Sequence, residues 1–215
     1  FAYWNNTEEL ASYLVEIAEV CLRTKDHEYG SDLIEKIQDK AGQKGTGLWT
    51  AVSSLQIGCP APTIAEAVYA RAVSTQKELR IQLSQTLAGP AKANISDEEK
   101  TAFIDALEDA LFCAKVCCYA QGFQLMAMAA KEQNWTLNFA EIAKIWRAGC
   151  IIRATFLQSI TAAYQQNAQL PNLLMAQSFS SSLAAVTLDI SVEEQDTTAF
   201  GDTARTRIGG LQDAS

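Results

Sequence analysis

The strongest constraint on the fold is one long run of helical periodicity, from Asp97 to about Gln133. Phe103, Leu107, Leu111, Ala114, Cys118, Gln121, Leu125 and Met128 recur three or four residues apart, the spacing that lays side chains along one stripe of an α-helix. Ser96 and Glu99 form a capping box at its start, each side chain taking one of the free N–H groups there. With a rise of about 1.5 Å per residue, such a helix extends roughly 55 Å. That length predicts a spine shared by several packed helices or by two subunits.

Shorter helices are expected on both sides. Asn6 to Lys25 places Leu10, Leu14, Ile17, Ala18 and Cys21 at helical spacing, with Asn6 and Glu9 as a further capping box. Ser31 to about Lys40 predicts a short helix with Leu33, Ile34 and Ile37 inward, broken by the run from Ala41 to Gly47. Trp49 to Ile57 predicts another, ended by Gly58 in the left-handed conformation and prevented from continuing by Pro60 and Pro62. Thr63, boxed with Glu66, opens a longer helix whose inner face is Val68, Tyr69, Ala72, Val73, Leu79 and Leu83, and Gly89-Pro90 stops it. After the spine, Asn138 with Glu141 opens a helix holding Ile142, Ile145 and Trp146. Cys150 to about Tyr164 and Pro171 to about Leu188 are two more. No alternating strand pattern precedes residue 186, so the expected class is all-α, built by helix-on-helix packing around the long central helix.

The domain reading is one helical domain over residues 1–188 and a tail over 189–215. The tail holds six acids (Asp189, Glu193, Glu194, Asp196, Asp202, Asp213) against Arg205 and Arg207, half of the net charge of −8. It is expected to be poorly ordered, with Val186 to Val192 as an alternative short strand. The negative charge, from 17 Lys and Arg against 25 Asp and Glu, argues against nucleic acid or an anionic membrane as a partner, since both attract the opposite sign. The longest uncharged stretch, Ala154 to Leu188, is rich in Gln, Ser, Thr and Asn and does not read as a membrane span. No secretory leader is expected at Phe1-Ala2-Tyr3-Trp4. Six cysteines in a chain of 215 residues need no disulfide framework, so free thiols in a reducing compartment are expected.

The most pointed chemical feature is Gly42-Gln43-Lys44-Gly45-Thr46-Gly47. Glycines let several backbone N–H groups gather, Lys44 brings a compact charge and Thr46 a hydroxyl, close to the start of the next helix. The pattern suits a phosphate or carboxylate, with an ordinary glycine-rich helix linker as the competing reading. It is neither a P-loop nor a dinucleotide fingerprint. Arg71 lies among Val68, Ala72 and Val73 and reads either as a snorkelling surface side chain or as a fork for an oxyanion. Cys113, Cys117 and Cys118 read as core cysteines rather than a zinc site, and a lone His27 with no Ser or Cys partner argues against a nucleophilic triad. No catalytic and no metal-ligating residue is assigned.

Several stretches, in order, resemble the 6-phosphogluconate dehydrogenase (decarboxylating) family. Asp39-Lys40-Ala41-Gly42-Gln43-Lys44-Gly45-Thr46-Gly47-Leu48-Trp49-Thr50 is similar to that family's signature loop. Trp4-Asn5, Tyr13-Leu14-Val15-Glu16-Ile17, Glu66-Ala67-Val68-Tyr69-Ala70-Arg71 and Leu87-Ala88-Gly89-Pro90 follow the same family order. So do Tyr119-Ala120-Gln121-Gly122-Phe123, Asn134-Trp135-Thr136-Leu137-Asn138 and Trp146-Arg147-Ala148-Gly149-Cys150-Ile151-Ile152-Arg153. The resemblance covers about residues 3 to 175.

The resemblance implies the helical, substrate-binding and dimer-forming part of an enzyme that oxidises 6-phosphogluconate with NADP and releases CO₂, giving ribulose 5-phosphate in the pentose phosphate pathway. It implies Lys44, Thr46 and Arg71 as substrate-binding residues, mainly for the phosphate, and a homodimer in the cytoplasm, with a plastid as the other compartment. NADP is expected to be bound mainly by a domain that in the family precedes the position of Phe1, and the family's general base and general acid belong there too. The chain alone is therefore expected to be inactive. Two departures stand out: Leu48 occupies a position where the family often has Lys, and the similarity fades after about Ala176. The rival reading is a non-catalytic helical dimerisation module or inactive paralogue.

Overall fold

The computed structural model describes residues 1–89 and 95–185; the expectations of a tail over 189–215 and of a strand over 186–192 lie outside them. Among the described residues eight α-helices follow one another: α1 (Tyr13–Arg23), α2 (Thr46–Ile57), α3 (Pro62–Thr75), α4 (Lys77–Thr86), α5 (Asp97–Gln133), α6 (Phe139–Ile145), α7 (Phe156–Gln166) and α8 (Gln177–Ala185). Short 3₁₀ turns stand at Trp4–Asn6, Leu33–Glu35 and Leu173–Met175. Among the described residues there is no strand beyond two isolated bridges, Ser12 with Ala154 and Lys25 with Asp32. The all-α expectation therefore holds.

The spine has the expected bounds, and its cap shows why. The Ser96 hydroxyl accepts from the Glu99 N–H at 3.2 Å, and the Glu99 carboxylate accepts from the Ser96 N–H at 2.7 Å. The far end is closed by Asn134 in the left-handed conformation. Phe112, Val116, Ala120, Phe123, Leu125 and Ala130 are buried along it. Around Phe123 stand Phe139, Trp146 and Tyr164, with ring centroids 5.0–5.8 Å away. Leu157, Ile160, Leu173 and Phe179 close the same core from α7, the last 3₁₀ turn and α8.

Four local expectations fail, each for a nameable reason. Asn6 does not cap α1: its side chain donates to the Ala2 carbonyl, and Ser12 caps instead, accepting from Val15 N–H. The entry to α1 is held by the segment before α7, through Tyr13 N–H to Arg153 carbonyl and Thr155 N–H to Ala11 carbonyl, both 3.1 Å. The helix expected over Ser31–Lys40 is only the turn Leu33–Glu35, with Ile34 and Ile37 exposed; no neighbour covers the face it would bury. Thr63 and Glu66 form no capping box. Pro62 opens α3, and the Gln121 amide of α5 serves its start, its oxygen accepting from Thr63 and Ile64 N–H and its nitrogen donating to the Thr63 hydroxyl. Finally, the single helix expected from Thr63 to Gly89 is broken at Gln76 into α3 and α4. The cysteines are all free thiols.

Candidate functional site

The glycine loop runs from Asp39 into the start of α2 and lies along the corner between α3 and α4. Gly45 precedes α2 with φ +104°, a conformation that L side chains rarely adopt, and a Cβ there would come 3.1 Å from the Trp49 indole. Gly47, in the first turn, lets α2 approach α3: a Cβ there would sit 3.2 Å from Val68 Cγ2. The first N–H groups of α2 have no carbonyl one turn back within the helix, and no side chain caps them.

Arg71 projects from α3 to this loop, where its Nη2 donates to the Gly42 carbonyl, two residues before Lys44. The loop's nearer part is tied down more heavily. The Arg80 guanidinium pairs with the Asp39 carboxylate at 2.7 Å and also donates to the Asp39 carbonyl at 2.8 Å and the Ser74 carbonyl at 3.0 Å. Ser74 Oγ accepts from the Ala41 N–H at 3.0 Å, and Lys40 lies 3.5 Å from Glu78. The Arg80 guanidinium holds the Asp39 carboxyl below its usual range, first by the hydrogen bond and then by its charge.

Lys44, Thr46 and Arg71 are thus all exposed and all belong to one loop-and-corner unit. The contact at Gly42 brings the Arg71 guanidinium to the loop that carries Lys44. Leu48, in the first turn of α2, is exposed as well. Sequence reasoning missed Asp39, Ser74 and Arg80. Ser74 and Arg80 lie 35 and 41 residues after Asp39, and only the break between α3 and α4 joins them; the one local hint was an acid opening a glycine-rich loop.

Cys113 and Cys117 stand one turn apart on α5, and the two neighbouring thiols influence each other, lowering Cys113 to about 7 and raising Cys117. Among the described residues no group of three or more His, Cys, Asp or Glu side chains is placed to hold a metal ion. An open cavity of about 420 Å³ lies between α1 and the segment before α7, where Arg153 stacks on the Tyr13 ring at 3.8 Å and stands 3.5 Å from Glu16. Among the described residues no helix is long and apolar enough to cross a membrane.

The fold and loop can be compared with known proteins. The model for "6-phosphogluconate dehydrogenase, C-terminal domain" matches residues 1–191. The chain belongs to the 6-phosphogluconate dehydrogenase C-terminal domain family. A relative from Synechocystis sp., 6-phosphogluconate dehydrogenase, decarboxylating, is 50% identical over 183 residues, 85% of this chain and 38% of that protein. The NADP(+)-dependent, decarboxylating enzyme of Bacillus subtilis is 50% identical over 175 residues, 81% of this chain and 37% of its own length. The solved 6-phosphogluconate dehydrogenase of Plasmodium falciparum, described in apo form, with NADP+ and with 6-phosphogluconate, superposes with a TM-score of 0.80 at 39% identity. That superposition covers 86% of this chain and 39% of the solved one. The chain therefore spans well under half the length of these relatives.

Proposed function

We propose that this family member is the substrate-gripping and dimer-forming part of an NADP-dependent oxidoreductase that converts 6-phosphogluconate to ribulose 5-phosphate and CO₂. The observation that carries the reading is the Arg71 guanidinium reaching the Gly42 carbonyl, beside Lys44 and the uncapped start of α2. A phosphoryl group there meets an ammonium from Lys44, a guanidinium from Arg71, a hydroxyl from Thr46 and the free N–H groups of α2. Charge-assisted hydrogen bonds of this kind are about twice as strong as neutral ones. Gripping the phosphate fixes the far end of the sugar acid and so orients its reacting carbons.

Dinucleotide binding needs a strand, a glycine-rich turn and a helix. The described residues form no such unit, and the glycine loop is not that fingerprint. In this reading the cofactor, the base and the acid belong to the part of the relatives that this chain does not match.

Homodimer formation is supported by apolar side chains left exposed along α2 and the first half of α5, among them Trp49, Leu55, Phe103 and Leu107. Six free thiols suit the reducing cytoplasm.

Calorimetric titration of the chain with 6-phosphogluconate tests the grip. Lys44→Ala is expected to weaken binding about 10- to 100-fold, the size of one hydrogen bond to a charged group. Equal affinity in both proteins refutes the reading and leaves the dimerisation module as the better account.

A further inference from the structure

Four consecutive loop residues are tied to the α3–α4 corner in antiparallel order. Asp39 meets Arg80, Lys40 meets Glu78, the Ala41 N–H meets Ser74 and the Gly42 carbonyl meets Arg71. The break at Gln76 makes this zipper possible. The Ser74 carbonyl is among the last of α3, where a helix leaves its carbonyls without intrahelical donors, and Arg80 of α4 supplies the donor. One planar guanidinium thereby joins the loop's carboxylate and carbonyl to the end of α3, a geometry that an ammonium cannot reproduce. On the loop's far side, Gly45 is fixed by its turn under Trp49, whose N–H donates to the Gly45 carbonyl at 2.8 Å. Among the described residues no hydrogen bond holds Gln43 or Lys44 in between.

We propose that Arg80 is a positioning residue for the phosphate grip. It holds the near end of the loop as Trp49 and Gly45 hold the far end, so that the reach of Lys44 is set by a two-residue span. It also resolves a conflict. Without Arg80, the loop's main side-chain anchor would be Arg71, the very guanidinium that the phosphate requires. With Arg80 in place, Arg71 can leave Gly42 for the ligand while the loop stays where it is. This inference rests on Lys44, Thr46 and Arg71 forming the phosphate site.

The test uses the full chain and two readouts: hydrogen exchange of the amides from Ala41 to Lys44, and calorimetric affinity for 6-phosphogluconate. Arg80→Ala should speed the exchange about tenfold or more while the exchange of α5–α7 is unchanged. It should weaken 6-phosphogluconate about tenfold, and Arg80→Lys should not restore either. Asp39→Asn, at an exposed position that cannot unfold the core, should move both readouts in the same direction by less. Lys44→Ala should lose affinity with no change in exchange at Ala41 and Gly42. Unaltered exchange in Arg80→Ala and Asp39→Asn overturns the clasp. Faster exchange with unaltered affinity, while Lys44→Ala still weakens binding, overturns positioning and leaves the site reading intact. Absence of binding by the unsubstituted chain refutes the site reading, and the positioning role falls with it.

Discussion

Phe123 on α5 is 2% exposed, whereas Leu55 on α2 is 78% exposed. Both are large apolar residues on well-formed helices, and the contrast extends to their surroundings. The second half of α5 is enclosed by α6, α7, the turn Leu173–Met175 and α8, which together bury a continuous cluster. Neither α3 nor α4 buries a residue completely, and α2 buries only Ser54. The first half of α5 likewise leaves Phe103, Leu107 and Leu111 in solvent. Helical periodicity specifies where a stripe lies but not what covers it. In one region the chain covers its own stripe; in the other it presents the stripe together with the glycine loop, as a surface that a second copy or a further domain can complete.

The comparison can be broken at its packed end first. Phe123→Ala removes a ring held among three other aromatic side chains and should cost about 3–5 kcal/mol, measured by denaturant unfolding followed by circular dichroism. A loss below about 1 kcal/mol would mean that the core is not the stable part.

The next effect is pH-dependent. Lys115 donates to the Glu9 carbonyl at 2.7 Å and lies over the Phe156 ring at 4.8 Å. Burial lowers it from 10.5 to about 8, against a smaller opposing pull from the Glu9 charge. Between about 8 and 10.5 the unfolded chain then holds a proton that the folded chain has released. Stability contributed by this group therefore rises with pH across that window, and below it the buried ammonium is a fixed cost. Melting temperatures of the parent and Lys115→Met between pH 7 and 10.5 should lie furthest apart at the lower end, where only the parent carries the buried charge, and converge upward, the parent alone gaining; parallel curves would show that Lys115 is not desolvated.

Ser96→Ala should cost about 1 kcal/mol by removing the capping box, in a single unfolding transition. A separate low-temperature transition would instead show that the exposed first half of α5 melts apart from the packed second half. The smallest effect is expected at Leu55→Ser. Unfolding of the dilute chain should change by no more than about 0.5 kcal/mol, while sedimentation should show weaker self-association. A large loss of stability without any change in association would mean that α2 is covered within one copy.

What was legible in the sequence divides along the same line. Features closed by neighbours three or four residues away were readable: the Ser96–Glu99 box, the Asn138 cap on α6, which accepts from Glu141 N–H, and Gly58 ending α2 at φ +73°. Features closed across the fold were not. Gln121 took the place of the Thr63 box, the pairing of Ala11 and Tyr13 with the segment before α7 moved the start of α1 from Asn6 to Ser12, and Arg80 drew the break at Gln76 into the loop's anchorage. Lys44 and Thr46 stood out because the loop carries its own glycine signature, whereas Arg71, alone on its helix, was ambiguous until the family resemblance set it beside them. Asp39 and Arg80 were silent, since an acid and a base 41 residues apart acquire meaning only once the corner between α3 and α4 exists.

The Gln121 amide reaches further than its capping duty. It stands in the packed second half of the spine and bonds the first turn of the helix whose third turn carries Arg71. The seat of that helix is thus a side-chain amide of the spine, so the place from which Arg71 reaches the loop is set by a residue outside its own helix.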